Sequence, residues 1–244
     1  MIDIHSHILP MVDDGSPSVE HSLMMLNEAY QDGSDAIVLT PHLAYPYHFD
    51  NPNDKIIALF NDFKQIVASE KIPIKLYLGC EFLYDRKATL IEHFDEITTL
   101  NDTNYLLMEF FFDTLGDEML EAIDSVINKN LIPIIAHPER YESIQTSSNL
   151  AKQMIKAGAL LQLNKGSVFG KYGNMAKEAA FDLLDHQLIS FVASDSHHIR
   201  YRNALMYRDF LFIQEYYGKD QARKIFNDNA KKMLQGIDIR GSRS

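Results

Sequence analysis

Hydrophobic positions along this chain fall into two alternating rhythms. Short apolar runs rich in Val, Ile and Leu recur at Met1 to Ile4, Asp35 to Thr40, Ile74 to Gly79, Tyr105 to Met108, Leu131 to Ala136, Leu160 to Leu163 and Ile189 to Ala193. Runs of that length and composition predict strands. Between them lie longer stretches whose apolar residues stand three and four apart: Val19 to Gln31, Asp54 to Ala68, Glu118 to Asn130, Asn149 to Lys156, Ala176 to Asp185 and Asn203 to Tyr217. That spacing predicts helices with one buried face. Strands that alternate with helices run parallel through right-handed crossovers, and strands apolar on both faces require helices packed outside the sheet. Periodicity leaves two architectures open, a barrel and a doubly wound sheet.

Composition narrows this picture. The 244 residues fit one α/β barrel, and no linker, low-complexity tract or internal repeat divides them. We expect one domain over 1–235 and a polar tail, 236–244, that frays. A hydrophobic fraction of 46% with 23% charged residues is that of a soluble globular chain. The net charge of -11 disfavours nucleic-acid phosphate as a partner, yet leaves room for a phosphorylated substrate, because metal ions can reverse the field inside one pocket. Cys80 is the lone cysteine, so no internal disulfide forms. No run reaches the roughly 18 apolar residues that span a bilayer and no signal-peptide pattern stands at the N-terminus, so a cytoplasmic protein without membrane insertion is expected.

Chemistry concentrates where the strands end. His5 and His7 follow the first run, His42 the second, Glu81 the third, Glu109 the fourth, His137 the fifth, and Asp195 and His197 the seventh. In a parallel barrel those ends share one rim, where the active sites of such folds form. Residues at i and i+2 of a strand point to one face, so His5-x-His7 and Asp195-x-His197 can each pinch an ion. A single His-x-His is more often structural than metal-binding; six strand ends that agree are not. Imidazole with carboxylate and no thiolate suits Mn, Fe or Zn. His21, His48, His93 and His186 stand apart from this pattern and read as surface or packing residues.

The segments Asp3-Ile4-His5-Ser6-His7-Ile8-Leu9-Pro10, Asp13-Asp14-Gly15-Ser16, Thr40-Pro41-His42, Gly79-Cys80-Glu81, Glu109-Phe110, Ala136-His137-Pro138-Glu139-Arg140-Tyr141 and Ala193-Ser194-Asp195-Ser196-His197 resemble the PHP (polymerase and histidinol phosphatase) superfamily. Within it they look most like the manganese-dependent protein-tyrosine phosphatases of bacterial capsule and exopolysaccharide loci, in order from about residue 2 to about residue 230. The resemblance implies a distorted seven-stranded (β/α) TIM-like barrel. It also implies three divalent ions, manganese by preference with Fe or Zn as alternatives, held by His5, His7, Asp14, His42, Glu81, Glu109, His137, Asp195 and His197. Glu81 and Asp195 are the expected bridges. Arg140 and Arg202 are implied phosphate holders, a role that suits a guanidinium's planar fork of donors, although Arg200 or Arg208 could stand in for Arg202. From the residues alone, Asp14 reads as a cap of the next helix rather than a ligand.

These readings imply hydrolysis of phosphotyrosine by a water that bridges two cations, with no phosphoenzyme. Asp13 is a candidate proton donor. The implied partner is a phosphotyrosine protein, the tyrosine-rich tail of a bacterial tyrosine kinase. Alternatives are a small-molecule phosphatase of the histidinol-phosphate type and a catalytically silent metal-binding scaffold. Cys80 to Arg86 matches the C-x5-R spacing of cysteine-dependent phosphatases, but the residues between include Glu81 and Asp85 and no glycine, which is wrong for a phosphate cradle. Tyr45, Tyr47, Tyr141 and Tyr172 are candidates to line a groove for an aromatic substrate. Oligomeric state leaves no mark in the sequence.

Overall fold

All seven expected strand runs form strands, and past the second and third the chain breaks and resumes as a short further strand that the runs did not include. The computed structural model describes residues 1–44, 49, 51–85 and 97–241. The strands in it are β1 (Ile2–Asp3), β2 (Ala36–Leu39), β3 (His42–Leu43), β4 (Lys75–Leu78), β5 (Glu81–Leu83), β6 (Tyr105–Glu109), β7 (Ile132–Ala136), β8 (Leu160–Asn164) and β9 (Phe191–Ala193). The second run breaks at Thr40-Pro41, where proline brings no N–H to a ladder. The third breaks at Gly79-Cys80; a Cβ on Gly79 would sit 2.5 Å from Leu100 Cδ2, so any other residue here would force the Leu100 side chain to move. The break divides the strands into two parallel sheets, β1-β2-β4 and β3-β5-β6-β7-β8-β9, in place of one set of seven unbroken strands.

Three links join the sheets. Gly79 N–H donates to Leu39 O at 2.9 Å and Glu81 N–H to Pro41 O at 3.1 Å, which carries the pairing across both breaks. Beyond β1, Ser6 forms a parallel bridge with Ser196, with His7 N–H donating to Ser196 O at 2.8 Å and Asp195 N–H to His5 O at 2.9 Å. Ile2, Ile4, Ala36 and Val38 of the first sheet share one apolar cluster with Leu107, Ile134, Ala136, Leu160, Phe191 and Ala193 of the second. The opposite faces, such as Ile37 and Leu39 or Leu106 and Met108, belong to clusters that take in the helices.

The helices α1 (Val19–Gln31), α2 (Asn53–Ser69), α3 (Gly116–Ile127), α5 (Asn149–Ala157) and α6 (Asn174–Asp185) lie where the three-and-four spacing puts them. Four-residue α4 (Glu142–Gln145) was too short to leave a periodic signal. The last expected helix begins late, as α7 (Tyr207–Tyr217), because the preceding loop turns back on itself with His197 and His198 N–H both donating to Arg202 O. α8 (Lys219–Arg223), a π-helical turn (Lys224–Asp228) and α9 (Asn229–Met233) complete the described helices. The segment expected to fray is pinned at two points: Tyr105 Oη donates to Ile237 O at 2.7 Å and accepts from Ile239 N–H at 3.1 Å. No helix among the described residues is long and apolar enough to cross a membrane.

Candidate metal centre

Period two carries the inner face of each strand from an apolar layer to a polar one. Leu107 leads to Glu109, Ala193 to Asp195, Leu160 to Gln162 and Asn164, and Val38, two steps on, to His42. The hub is Glu81, at the start of β5. Its Oε1 lies 3.1 Å from His5 Nε2 and 3.1 Å from His137 Nε2; its Oε2 lies 3.1 Å from His7 Nε2 and 3.1 Å from His42 Nδ1. Glu109 Oε1 is 3.1 Å from His42 Nδ1, and its Oε2 is 3.6 Å from His137 Nε2. Asp195 Oδ1 stands 3.6 Å from His5 Nε2 and 3.7 Å from His7 Nε2. Asp14 Oδ1 closes the group at 3.4 Å from His42 Nε2 and 3.3 Å from His197 Nε2. The nine ligand-type side chains singled out in the sequence thus meet at one place. Three overlapping subsets could each hold a cation: His7, Asp14, His42 and His197; His5, His7 and Glu81; His42, Glu81 and Glu109.

Several features fit divalent cations better than protein packing alone. His5 Nε2 and His7 Nε2 face each other at 3.2 Å. His197 Nε2 is buried without a hydrogen-bond partner although the Asp14 carboxylate is near, so its lone pair is left for another ligand. His137 and Asp195 have φ of 36° and 48°, a left-handed conformation that side chains other than glycine adopt at a cost of about 1–3 kcal/mol and that clusters at functional sites.

Partners behind the imidazoles set their tautomers. His7 Nδ1 donates to Asp13 Oδ2 at 2.8 Å, which turns its Nε2 lone pair toward the cluster. The same carboxylate accepts from His42 N–H and Gly15 N–H. Asp13 is therefore committed to holding His7 and the turn after it, and is not poised as a proton donor. Although burial raises its pKa, the His7 charge outweighs this and holds it below the ordinary carboxylate value. Gly15 must be glycine, since a Cβ there would meet His7 O at 2.1 Å. Asp14 is not the helix cap: Ser18 caps α1, accepting from His21 N–H.

On the other side, His5 Nδ1 donates to Gln162 Oε1 at 2.8 Å, Gln162 Nε2 donates to Asn164 Oδ1 at 2.9 Å, and Asn164 Nδ2 donates to Asp195 Oδ2 at 2.7 Å. This relay on β8 joins two candidate ligands, and it escapes the strand-end pattern because Leu160 to Leu163 is the one expected run of the seven that no ligand-type residue follows. Its signal was there nonetheless: two buried amides in an otherwise apolar Leu-Leu-Gln-Leu-Asn run.

Electrostatics follow from this packing. Burial pushes the Glu81 and Asp195 carboxyls up, but the surrounding imidazoles, with Arg202 beside Asp195, outweigh it and hold both well below their ordinary values. For His7, burial and repulsion from His42 are overcome by Asp13 and Glu81, and its pKa rises to about 9. Burial also opposes charging of His137, yet Glu109 and Glu81 raise it to about 9. Burial and repulsion from His7 push His197 down to about 4.

Both arginines stand at the rim. Arg202 Nη2 hydrogen-bonds Asp195 Oδ1, and Arg140 Nη1 lies 3.4 Å from Asp195 Oδ2. Arg140 is clamped between the rings of Phe112 and Tyr172, 4.5 and 4.8 Å from their centroids. Arg208 instead covers Phe169, so it does not replace Arg202. Tyr141 is fully buried, its hydroxyl donating to Ala136 O and accepting from Phe110 N–H, and lines no groove. Tyr45, Tyr47, His48, Arg86 and His93 lie outside the described residues. His186 pairs with Asp182 on the surface, and His21 stacks near His198. Cys80 is buried, and burial drives its thiol up to about 12, which keeps it from acting as a thiolate.

Comparison with known proteins agrees with this geometry. The sequence profile described as "Capsular polysaccharide synthesis, CpsB/CapC" matches residues 1–235. Tyrosine-protein phosphatase CpsB of Streptococcus pneumoniae is 33% identical over 240 residues, which covers 96% of this chain and 98% of that protein. A solved structure from work on YwqE of Bacillus subtilis and CpsB of Streptococcus pneumoniae, described as unique metal-dependent tyrosine phosphatases, superposes with a TM-score of 0.90 at 30% identity and covers 98% of this chain and 96% of its own. Histidinol phosphate phosphatase of Lactococcus lactis, at a TM-score of 0.55 and 16% identity over 91% of this chain and 93% of its own, shares the fold alone. The chain belongs to the CpsB/CapC family of capsular polysaccharide synthesis.

Proposed function

We propose that this protein is a metal-dependent protein-tyrosine phosphatase. The observation that carries the reading is the convergence of five imidazoles and three further carboxylates around Glu81, flanked by two guanidinium groups. We read the two sheets as one distorted seven-stranded barrel over residues 1–235, because strand-end bonds and a common apolar cluster link them. The nine ligands would hold three divalent cations, manganese by preference, with Glu81 and Asp195 as bridges. When bound, such ions supply positive charge for the phosphoryl oxygens and ionise water near neutral pH.

The chain's own residues do the rest. Arg140 and Arg202 present donors at the edge of the cluster, where they fix the phosphoryl oxygens and take up charge that develops on them. Asp13 and Gln162 keep the Nε2 atoms of His7 and His5 aimed inward. Hydrolysis forms a bond from water oxygen to phosphorus and breaks the bond from phosphorus to the aryl oxygen. A phenolate, with a reference pKa of about 10, leaves without a strong acid, which accords with Asp13 facing away. The physiological partner in this reading is the tyrosine-rich tail of a capsule-regulating kinase, in the cytoplasm.

The test is phosphate release from a phosphotyrosyl peptide and from histidinol phosphate, each with and without a chelator. Chelator-sensitive activity that favours the peptide is the expected result. A preference for histidinol phosphate would move the enzyme to the small-molecule class, and activity that survives chelation and vanishes in Cys80→Ser would overturn the metal mechanism.

A further inference from the structure

Beside the polar cluster lies a cavity of another kind, about 330 Å³ and lined by His42, Phe49, Leu83, Glu109, Phe111 and Phe112. Its inner wall, His42 with Glu109, is also part of a candidate cation group, so the cavity begins where the phosphoryl group would sit. Phe49 stacks on His42 with the ring planes 13° apart and the centroids 5.4 Å apart. Phe111 and Phe112 are 42% and 45% exposed, an unusual state for two consecutive phenylalanines directly after a strand. Apolar surface of this kind beside a polar centre marks a place that a ligand covers.

We propose that this cavity receives the aromatic ring of the phosphotyrosyl side chain, with Phe49 and Phe111 as the residues that select aryl over alkyl phosphates. The inference rests on the phosphatase reading above. Arg140 and Arg202 stand on the Asp195 side of the cluster, and the cavity opens on the His42–Glu109 side. A phosphoryl group held by the arginines therefore has this apolar outlet for its ester substituent. A phenyl ring placed there gains ring contacts with Phe49 and Phe111. A serine or threonine ester brings only a short aliphatic stem and leaves the rings wet. Phe112 has a different duty, since it clamps Arg140.

The test uses manganese-loaded protein and two probes that are not hydrolysed, phenylphosphonate and methylphosphonate, with affinities read by calorimetry. The wild type should bind the phenyl probe about tenfold more tightly or better. Phe111→Ala and Phe49→Ala should each shrink that ratio about three- to tenfold and leave methylphosphonate affinity and bound manganese unchanged. Phe111→Leu, which keeps the bulk and loses the ring, guards against a folding defect and should shrink the ratio in the same direction. Equal affinities in the wild type, or variants that weaken both probes alike, overturn the proposal. A wild type that hydrolyses the phosphotyrosyl peptide without preferring phenylphosphonate sinks this inference alone, whereas one that fails to hydrolyse the peptide sinks the phosphatase reading.

Discussion

Two layers of one inner surface, a single strand step apart, are equally buried and held by opposite physics. In the lower layer Ile4, Val38, Leu107, Ile134 and Ala193 are fully shielded and apolar, and each of the four larger side chains stabilises the fold by about 1.5–3 kcal/mol. In the upper layer His5, His7, Glu81 and Asp195 are 0–1% exposed and charged or polar, and their burial costs several kcal/mol unless partners or cations offset it. Burial by itself says nothing of role. What separates the layers is whether side chains satisfy one another, and the upper layer leaves a lone pair on His197 and two left-handed residues at its edge.

A paired substitution breaks the comparison most sharply. Glu81→Gln should lower turnover by about 10³-fold or more, beyond the 10- to 100-fold that loss of an outer partner costs at a metal site. Elemental analysis should find manganese lost with it. Leu107→Ala, at the residue paired with Glu81 across β5 and β6 but in the apolar layer, should destabilise by about 2–5 kcal/mol in denaturant melts and keep its manganese. If Glu81→Gln retains the full complement of metal, the hub has been misplaced.

Arg140→Ala comes next, with an expected fall in turnover of about 10²-fold and metals still bound. A drop in metal content would instead make Arg140 a prop for Asp195, which it approaches at 3.4 Å.

The layers also differ in how well they could be read from the chain. The lower one was legible because period two is a local signal: the apolar runs fell on β2, β6, β7, β8 and β9 within a residue or so. Eight of the nine candidate positions were legible because His, Asp and Glu recur at the strand ends, where such types are costly to bury without a purpose; Asp14, half exposed, was offered by the family resemblance alone. The short strands β3 and β5 were not, since the expected runs end at Thr40 and Gly79 and two or three residues beyond them leave no periodic signal. Asp13 was misjudged for a different reason. Its type suits an acid, and only the 2.8 Å contact with His7 Nδ1 reveals that its direction is wrong. The tyrosines drew attention as groove residues, while the Phe110-Phe111-Phe112 run that borders the cavity went unread because phenylalanine looks like core.

Gln162 sharpens the comparison from the side, because it belongs to the inner parity of β8 but touches the ligand layer. Gln162→Leu removes the acceptor that fixes His5 and should weaken manganese binding about 10- to 100-fold, with little change in melting of the metal-free protein. Unaltered affinity would show that the His5 ring holds its orientation without it.

The last test concerns protons, and it separates imidazoles within the upper layer. His7 and His137, each raised to about 9, and His42, raised well above its ordinary value, carry protons at neutral pH in the metal-free protein, whereas His197, lowered to about 4, does not. Their pairing with carboxylates therefore stabilises the metal-free fold at pH 7, and that contribution is lost as pH rises through about 9. A cation requires the lone pairs those protons occupy, so binding must expel them. Apparent manganese affinity should climb with pH, by up to about tenfold per unit for each proton displaced, and the share due to His7 and His137 should level off near pH 9. Calorimetric titrations at pH 7 in two buffers with different ionisation heats should differ by the heat of up to three protons. Identical heats in the two buffers would mean that His7, His42 and His137 are already neutral and that the paired charges of the upper layer do not exist before the metal arrives.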